Sequence, residues 1–299
     1  MSQPKNVAKG LTLGLSAYLL WGSFPVIIAL LSFASPWEIV VWRIVFGLAA
    51  GFVFIAFGRS FKTFWSTFKD KSVMRWIALS SVVIMINWTV YVYGVATGHV
   101  VESSLGYFIN PLVTILLAVT LLGEKLRLAQ WMATGFGLLA VVILTIDYGR
   151  LPWIALSLAL SFGLYGLAKS KMADRVSALH SYTVETLLLT PIALGMLAMV
   201  AVTGEIQFLQ HGALGAVGLA LYGVMTAVPL ILFGVAAQHL PLSWVGLMQY
   251  LTPSIQFLLG IFYFHEQMPQ ARWFGFGLVW TGLVVLSVDM LRRAAKNRS

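Results

Sequence analysis

The sequence predicts an all-α integral membrane protein with ten transmembrane helices, arranged as two inverted repeats of five. Apolar residues make up 60% of the 299 positions and charged residues only 10%, against about one quarter charged in a soluble domain. Apolar runs long enough to cross a hydrocarbon layer about 30 Å thick recur along the chain. These two observations exclude a soluble enzyme and a disordered chain, and an internal repeat predicts the arrangement.

Ten apolar runs follow one another, and the connections between them are too short for a soluble domain. Backbone polar groups in lipid must be satisfied within each segment, so we expect helices. The first run lacks a small-residue cleavage site, and we interpret it as a retained helix rather than a signal peptide. The runs cover residues 10–31, 37–57, 73–95, 103–122, 128–146, 152–168, 181–203, 213–237, 243–264 and 273–291.

The basic residues predict which side of the membrane each connection faces. With the N-terminus inside, 16 of the 19 lysines and arginines fall on the inner side. Only Arg150 and Arg272 fall on the outer side, and Arg43 lies within a span. Basic connections remain cytoplasmic, so we expect both termini in the cytoplasm. The same distribution accounts for the net charge of +9 without a nucleic-acid partner.

An internal repeat divides the chain into residues 1–148 and 149–299. A single constant offset places 104–147 on 246–289 without a gap. Each half holds five spans, an odd number, so the second half enters the membrane from the opposite side. Inverted repeats are typical of secondary transporters, whose binding site lies near the midplane between the halves. Identical pairs include Leu105/Leu247, Pro111/Pro253, Glu124/Glu266, Trp131/Trp273, Gly135/Gly277 and Asp147/Asp289.

Short motifs in both halves match a known family. They are Leu20-Trp21-Gly22-Ser23, Arg43, GYFINP at 106–111 with Leu122-Gly123-Glu124, and QYLTP at 249–253 with Glu266. On these motifs the chain resembles the EamA family of the drug/metabolite transporter superfamily, and within it the RarD-type proteins, over nearly its whole length. The resemblance implies ten helices around a central cavity and export of small metabolites or drugs across a bacterial inner membrane. The second half departs from the pattern at Phe162-Gly163 and at His265.

Two polar stripes within the spans are candidates for the transport path. Polar side chains inside spans are costly and usually face the bundle interior. Each stripe has spacings of three and four and therefore occupies one helix face. A hydrogen-bonded seam between helices, without ligand contact, is the alternative. The stripes are Tyr107, Asn110 and Thr114 in the fourth span, and Gln249, Thr252 and Gln256 in the ninth, with Pro111 and Pro253 beside them as predicted hinges.

Trp21, Arg43, Asn87 and Tyr91 complete the predicted substrate-binding set. An aromatic, amide-rich lining suits amphipathic or zwitterionic solutes. Packing or an interfacial belt is the alternative for the aromatic rings. For Arg43 the alternatives are binding of an anion or carboxylate and snorkelling to the outer surface.

Glu185 occupies the position in the second half that corresponds to Arg43 in the first. The depths of the two residues in their spans predict about 15 Å between them, too far for a direct salt bridge. Snorkelling and proton coupling are the two interpretations of Glu185. A partly desolvated carboxylate can hold its proton near neutral pH, which makes this residue the proton-coupling candidate.

Glu124 and Glu266 are predicted structural caps, because an acid complements the N-terminal dipole of the helix that follows. The five histidines form no spaced ligand pair, and no phosphate-binding loop occurs. We therefore expect no metal, no cofactor, no ATP hydrolysis and no enzyme activity.

The predicted function is secondary active or facilitative export of small metabolites (amino-acid-like or amphipathic) or drugs by alternating access. A uniporter or importer, or a lipid-handling flippase of the same fold, is the alternative, with an intramembrane enzyme a distant third. The expected partners are a small-molecule substrate, protons as candidate coupling ions, and the lipid bilayer. Monomer and homodimer both remain open.

Overall fold

The computed structural model describes residues 7–122, 128–172, 175–204, 206–239 and 248–296, and within these ranges the regular structure is helical, without a strand. The helical membrane class is thereby confirmed. The helices are α1 (Val7–Leu30), α2 (Pro36–Phe57), α3 (Phe61–Thr67), α4 (Lys71–Ala96), α5 (Val100–Leu122), α6 (Leu128–Tyr148), α7 (Trp153–Ser170), α8 (Ala178–Val202), α9 (Gly212–His239), α10 (Leu251–Phe262) and α11 (Gln270–Lys296).

Each predicted span overlaps one helix, and α3 is a short extra helix between α2 and α4. Among the described residues, seven helices are long and apolar enough to cross a membrane: α1, α2, α4, α6, α8, α9 and α11. The described parts of α7 and α10 are shorter apolar helices. The count of ten crossings therefore stays a prediction.

Side-chain caps fix where three of the helices begin. Ser35 accepts a hydrogen bond from the backbone N–H of Glu38 at the start of α2. Ser177 does the same for the N–H of His180 at the start of α8. Such caps satisfy backbone donors that have no partner within the helix. Ser35 and Ser177 are related by the same offset as residues 104–147 and 246–289, so these two positions carry the same kind of cap.

Asp70 caps α4 through the N–H groups of Ser72 and Val73. The hydrogen bond from Val73 and the neighbouring Arg175 guanidinium hold the pKa of the Asp70 carboxyl below its usual range. Arg175 lies between α7 and α8, so this ion pair joins two connections that sequence analysis placed on the same side of the membrane.

The closest packing joins helices from residues 1–148 to helices from residues 149–299. Helix α2 packs on α8, α5 on α10, and α6 on α11. The two halves can be compared by exchanging each helix of the first half with its counterpart in the second. The counterparts are α1/α7, α2/α8, α4/α9, α5/α10 and α6/α11, and this exchange leaves the three pairs unchanged. The same exchange converts α1–α9 into α4–α7, α2–α9 into α4–α8, and α1–α10 into α5–α7, and all six of these contacts are present.

Small residues permit the closest of these approaches. A Cβ built on Gly223 of α9 would lie 2.6 Å from the Cβ of Phe46 and 3.0 Å from the backbone nitrogen of Gly47 in α2. On α2, Gly47 and Gly51 face the side chains of Tyr182 and Thr183 of α8. Close backbone approach at small residues is a main source of helix association in membranes.

Candidate functional site

Arg43 lies at the centre of the bundle, 5% exposed. Its Nη1 donates to the hydroxyl of Tyr222 in α9 across 3.0 Å. The guanidinium carbon lies 4.4 Å from the ring centroid of Trp88, 5.2 Å from that of Tyr222 and 5.7 Å from that of Phe24. Burying an arginine in a membrane costs about 2.5–3.5 kcal/mol on insertion scales. Cation–π contacts with the aromatic faces offset part of this free energy.

Arg43 keeps unused hydrogen-bonding capacity. Its Nε is buried and has no hydrogen-bond partner among the described residues. The ion pairs found in those residues involve Arg150, Lys169, Arg175 and Arg272, and none includes Arg43. The side chain is enclosed, so snorkelling to the outer surface does not describe its position.

A layer of polar aromatic and amide side chains surrounds this centre. Gln256 of α10 donates from Nε2 to the hydroxyl of Tyr91 at 2.9 Å and to the carbonyl of Trp21 at 3.2 Å. Tyr107 of α5 donates to Oδ1 of Asn87 at 3.2 Å, and its ring centroid lies 5.7 Å from that of Tyr91. These contacts join α1, α4, α5 and α10.

Both the oxygen and the nitrogen of the Asn87 amide form hydrogen bonds within the protein. Besides accepting from Tyr107, it donates from Nδ2 to the carbonyl of Leu158 at 3.2 Å and to the hydroxyl of Ser161 at 3.1 Å. Both residues belong to α7, so Asn87 ties the two halves together. Its donors are used within the protein, which favours a positioning role over direct contact with a solute.

Oε1 of Gln256 and the hydroxyl of Tyr182 are also among the buried polar atoms that lack a hydrogen-bond partner in the described part of the chain. Tyr182 packs on Gly47, one turn along α2 from Arg43, and is 2% exposed. An unsatisfied buried polar atom costs about 1–3 kcal/mol. Together with Nε of Arg43, these atoms offer unsatisfied donors and an unsatisfied acceptor at the centre of the bundle.

The two predicted stripes do not converge as a whole. Tyr107 and Gln256 reach the central group, whereas Thr114 is exposed and donates to the carbonyl of Asn110. Gln249 is exposed just before α10, which begins at Leu251. Tyr107 is the first member of its stripe and Gln256 is the last member of the other, so opposite ends of the two stripes reach the central group.

The other stripe members make separate contacts. Thr252 donates to the carbonyl of Tyr18 at 3.0 Å. Oδ1 of Asn110 is buried, lacks a hydrogen-bond partner among the described residues, and lies close to Gly163. Pro111 lies inside α5, and Pro253 lies in the first turn of α10. A hinge at either proline stays a prediction.

Glu185 forms a second buried polar centre. Its carboxylate is 2.6 Å from Nζ of Lys169 and accepts hydrogen bonds from Ser80 at 2.5 Å and Ser181 at 3.1 Å. Tyr165 donates to its other oxygen at 3.3 Å. The residue is 1% exposed, so it does not snorkel to the surface, and its ion pair is with Lys169 instead of Arg43. Helices α4, α7 and α8 meet here.

A vestibule opens where α1 ends, α2 begins and α4 ends. Its volume is about 800 Å³. Ser35, Thr97 and Gln207 contribute polar groups to its wall, while Ile28 and Ile39 line its apolar part. Ile39 is one helical turn before Arg43 on α2, about 6 Å along the axis. One layer of side chains therefore separates the vestibule from the central arginine.

Three glutamates link helix starts and connections at the vestibule end. Glu38 accepts from the N–H groups of Gln207 and Phe208 at 2.9–3.0 Å. Glu102 accepts from the N–H of Ile154 at 3.1 Å and pairs with Arg150 at 2.8 Å. Each of these glutamates joins residues 1–148 to residues 149–299.

Glu266 is the third of these glutamates, and it contacts a different helix from the expected one. Sequence analysis placed it at the start of the following helix, α11. Its carboxylate instead accepts from the N–H groups of Val100 at 2.5 Å and Val101 at 3.1 Å, at the start of α5. Burial raises the pKa of Glu266 to about 7, against the opposing effect of these N–H groups and Arg272. Glu124, the other predicted cap, lies outside the described residues.

Sequence reasoning missed Tyr222, Tyr182 and Lys169. Lys169 is in the last turn of α7 and resembles an ordinary flanking base in the sequence. Tyr222 and Tyr182 are tyrosines within apolar spans, where the sequence carries no local signal for their partners. In the described ranges no group of three or more His, Asp or Glu side chains could hold a metal ion.

Comparison with known proteins gives relatives along nearly the whole chain. Residues 8–146 match the EamA-like transporter family. The chain is 45% identical to the protein RarD of Streptomyces exfoliatus over 97% of this chain and 91% of that protein. It is 37% identical to the transporter YojE of Bacillus subtilis over 99% of both chains. It is 32% identical to the protein RarD of Escherichia coli over 98% of this chain and 99% of that one.

A solved crystal structure shares the fold. Its TM-score is 0.59 at 17% sequence identity, and the match covers 95% of this chain and 98% of that chain. At this identity the likeness concerns the fold alone.

Proposed function

The chain belongs to the EamA-like transporter family of the drug/metabolite transporter superfamily, among its RarD-type proteins, and we propose that this multi-pass inner-membrane transporter exports small metabolites or drugs by alternating access. The residue that carries the proposal is Arg43, a buried cation at the junction of the two halves. Transporters built from repeats bind their solute at such a junction.

An inverted repeat, with residues 1–148 and 149–299 as the two units, is part of the proposal. The packing contacts support it, because they map onto one another when corresponding helices are exchanged. Two hydrogen bonds join helices that this exchange relates. Arg43 of α2 binds Tyr222 of α9, and Glu185 of α8 binds Ser80 of α4.

Alternating access requires one end of the bundle to open while the other stays closed. The vestibule of about 800 Å³ opens at the end that we expect to face outward. At the opposite end, Lys169, Glu185, Ser80 and Ser181 bind one another across α4, α7 and α8. This arrangement fits a conformation with a vestibule at its outer end and a closed inner end, and export requires the Glu185 group to separate when the inner end opens.

Glu185 is the proposed coupling residue. Protonation removes its charge and weakens the bond with Lys169, which lowers the barrier to opening the inner end. A proton gradient can thereby drive export. A uniporter of the same fold would move its solute without involving this carboxylate.

The test is a mass-spectrometric comparison of cells and medium. The strains lack the protein, overproduce it, or overproduce Arg43→Gln, with Arg75→Gln as the matched control, since Arg75 is exposed on α4. We expect at least one compound to leave the cells with the intact protein and with Arg75→Gln, but not with Arg43→Gln. Accumulation of that compound inside the overproducing cells would contradict export, and equal transport by the Arg43→Gln strain would remove Arg43 from the path.

A further inference from the structure

Arg43 differs from the cations that form ion pairs in this protein. Arg150, Lys169, Arg175 and Arg272 each contact a carboxylate, and all four have side chains 24–46% exposed. Arg43 is far more deeply buried and is paired with no carboxylate in the described part of the chain. A guanidinium stays charged at every physiological pH, so the protein keeps a fixed positive charge at its centre.

The described side chains that contact Arg43 are neutral. Its guanidinium makes cation–π contacts with the rings of Phe24, Trp88 and Tyr222 and donates one hydrogen bond, to the hydroxyl of Tyr222. Glu185, at the position in the second half that corresponds to Arg43, already forms an ion pair with Lys169. The charge of Arg43 is thus not balanced by a carboxylate within the described part of the chain.

The free edge of the guanidinium has the geometry for a carboxylate. Nε is buried and unpartnered, while Nη1 is used by Tyr222. Carboxylates bind arginine through two parallel N–H groups, and the edge that carries Nε can supply such a pair. The unpartnered hydroxyl of Tyr182 in α8 lies against Gly47, one turn along α2 from Arg43, and is a second unsatisfied group in this region.

We propose that Arg43 binds the carboxylate of a small organic anion, and that this transporter selects monoanionic solutes over neutral and cationic ones of the same shape. The proposal rests on the proposed function, since it names the substrate class of that site. A single cation among neutral groups matches one negative charge and repels an amine. Trp88, Tyr91 and Tyr107 offer ring faces for the remainder of the solute, which favours an apolar or aromatic body.

The oxygen of Gln256 adds a second recognition point. Oε1 is buried and unpartnered, whereas Nε2 is used by Tyr91 and Trp21. This acceptor fits a hydroxyl or N–H donor on the body of the anion. A site that leaves such an atom unpaired discriminates strongly between solutes with and without the matching donor.

The test compares three probes that differ only in charge. Phenylacetate, phenylacetamide and phenethylammonium share one body and carry one negative, zero and one positive charge. The purified full-length protein is titrated with each in neutral-lipid nanodiscs at constant ionic strength, and the rise of the unfolding midpoint gives the affinity. We expect phenylacetate to bind at least tenfold more tightly than phenylacetamide, and phenethylammonium to have no effect.

Variants connect the preference to the residue. Arg43→Gln is expected to abolish the preference for phenylacetate, and Arg43→Lys to keep its direction but weaken binding several-fold, because lysine lacks the paired N–H groups. Arg75→Gln is expected to behave as the unmodified protein. Equal binding of the three probes, a preference for the amine, or no binding of phenylacetate would overturn the proposal, and these results do not depend on a variant that folds.

The export experiment separates this proposal from the proposed function. If the exported compounds are neutral or cationic, the result supports the proposed export and contradicts the proposed anion site. If phenylacetate binds through Arg43 but no compound leaves the cells in a protein-dependent way, the result supports the anion site and contradicts the proposed export.

Discussion

Arg43 of α2 donates a hydrogen bond to Tyr222 of α9 across 3.0 Å, between the two halves of the chain. Ser80 of α4 donates to Glu185 of α8 across 2.5 Å in the corresponding place. Under the proposed inverted repeat these two helix contacts, α2 with α9 and α8 with α4, correspond to one another. One of them carries a buried cation and the other a buried anion, and in our proposal the first binds the solute and the second closes the inner end.

Removing the charge of Glu185 is expected to uncouple transport from the proton gradient. Glu185→Gln keeps the shape and one acceptor oxygen but has no carboxylate to protonate. In vesicles loaded with an exported compound, an imposed pH gradient should accelerate efflux by the unmodified protein and leave the variant unchanged. Acceleration of both would show that another group is coupled.

The ion pair between Lys169 and Glu185 is expected to contribute a measurable interaction energy. Lys169→Met leaves a buried carboxylate without its cation, so it should destabilise the protein more than Lys169→Met combined with Glu185→Gln. A double-mutant cycle of thermal unfolding in detergent should give a coupling of about 1–3 kcal/mol. Additive effects would contradict a stabilising pair.

The stability of the protein should fall as pH rises because of Glu266. Burial raises the pKa of this group from 4.5 to about 7 in the folded state. Between these values the folded protein holds a proton that the unfolded chain releases, so the free energy of unfolding decreases as pH rises through this window. Glu266→Gln is expected to remove this component when unfolding midpoints are measured from pH 5 to 8.

Asp70→Asn is the control for that measurement. Its pKa is lowered from 3.8, chiefly by the N–H of Val73, so its contribution is lost only in more acidic solution. The pH dependence between 5 and 8 should therefore be the same with and without Asp70. If Glu266→Gln and the unmodified protein have parallel midpoint curves, Glu266 does not titrate in this range.

Gly47 should not tolerate a methyl group. A Cβ at this position would overlap the hydroxyl of Tyr182. Gly47→Ala is expected to destabilise the protein by about 1–3 kcal/mol, as overpacking does elsewhere. Gly166→Ala in α7 is the matched control, because no atom lies within 4 Å of a Cβ there. The control should be neutral or stabilising by up to about 1 kcal/mol, since alanine favours helix; equal effects of the two changes would exclude overlap as the cause.

Gln256 and Gln249 distinguish the central group from the predicted stripe. Gln256 is 2% exposed and bonds to Tyr91, whereas Gln249 is exposed. Gln256→Ala is expected to reduce efflux of an exported compound at least tenfold at equal membrane abundance, and Gln249→Ala less than twofold. A larger loss with Gln249→Ala would support lining by the whole stripe in another conformation.

Local properties of the sequence determined much of the fold. Apolar runs predicted where the helices lie, because each helix satisfies its own backbone and must present apolar residues to lipid. The sequence repeat predicted which helices correspond, and this correspondence stays a prediction that the like caps of Ser35 and Ser177 are consistent with. Arg43 was identifiable for the same reason, since a charge within a span stands out against apolar neighbours.

The tertiary structure alone decided what each of these residues contacts. Tyr222 is 179 positions from Arg43, and Val100 is 166 positions from Glu266. Apolar helices of similar composition carry no local signal for their neighbours, because association in a membrane depends on the fit of whole surfaces and on small residues at the contact. The partners of Arg43, Glu185 and Glu266 therefore became known only once the helices were packed.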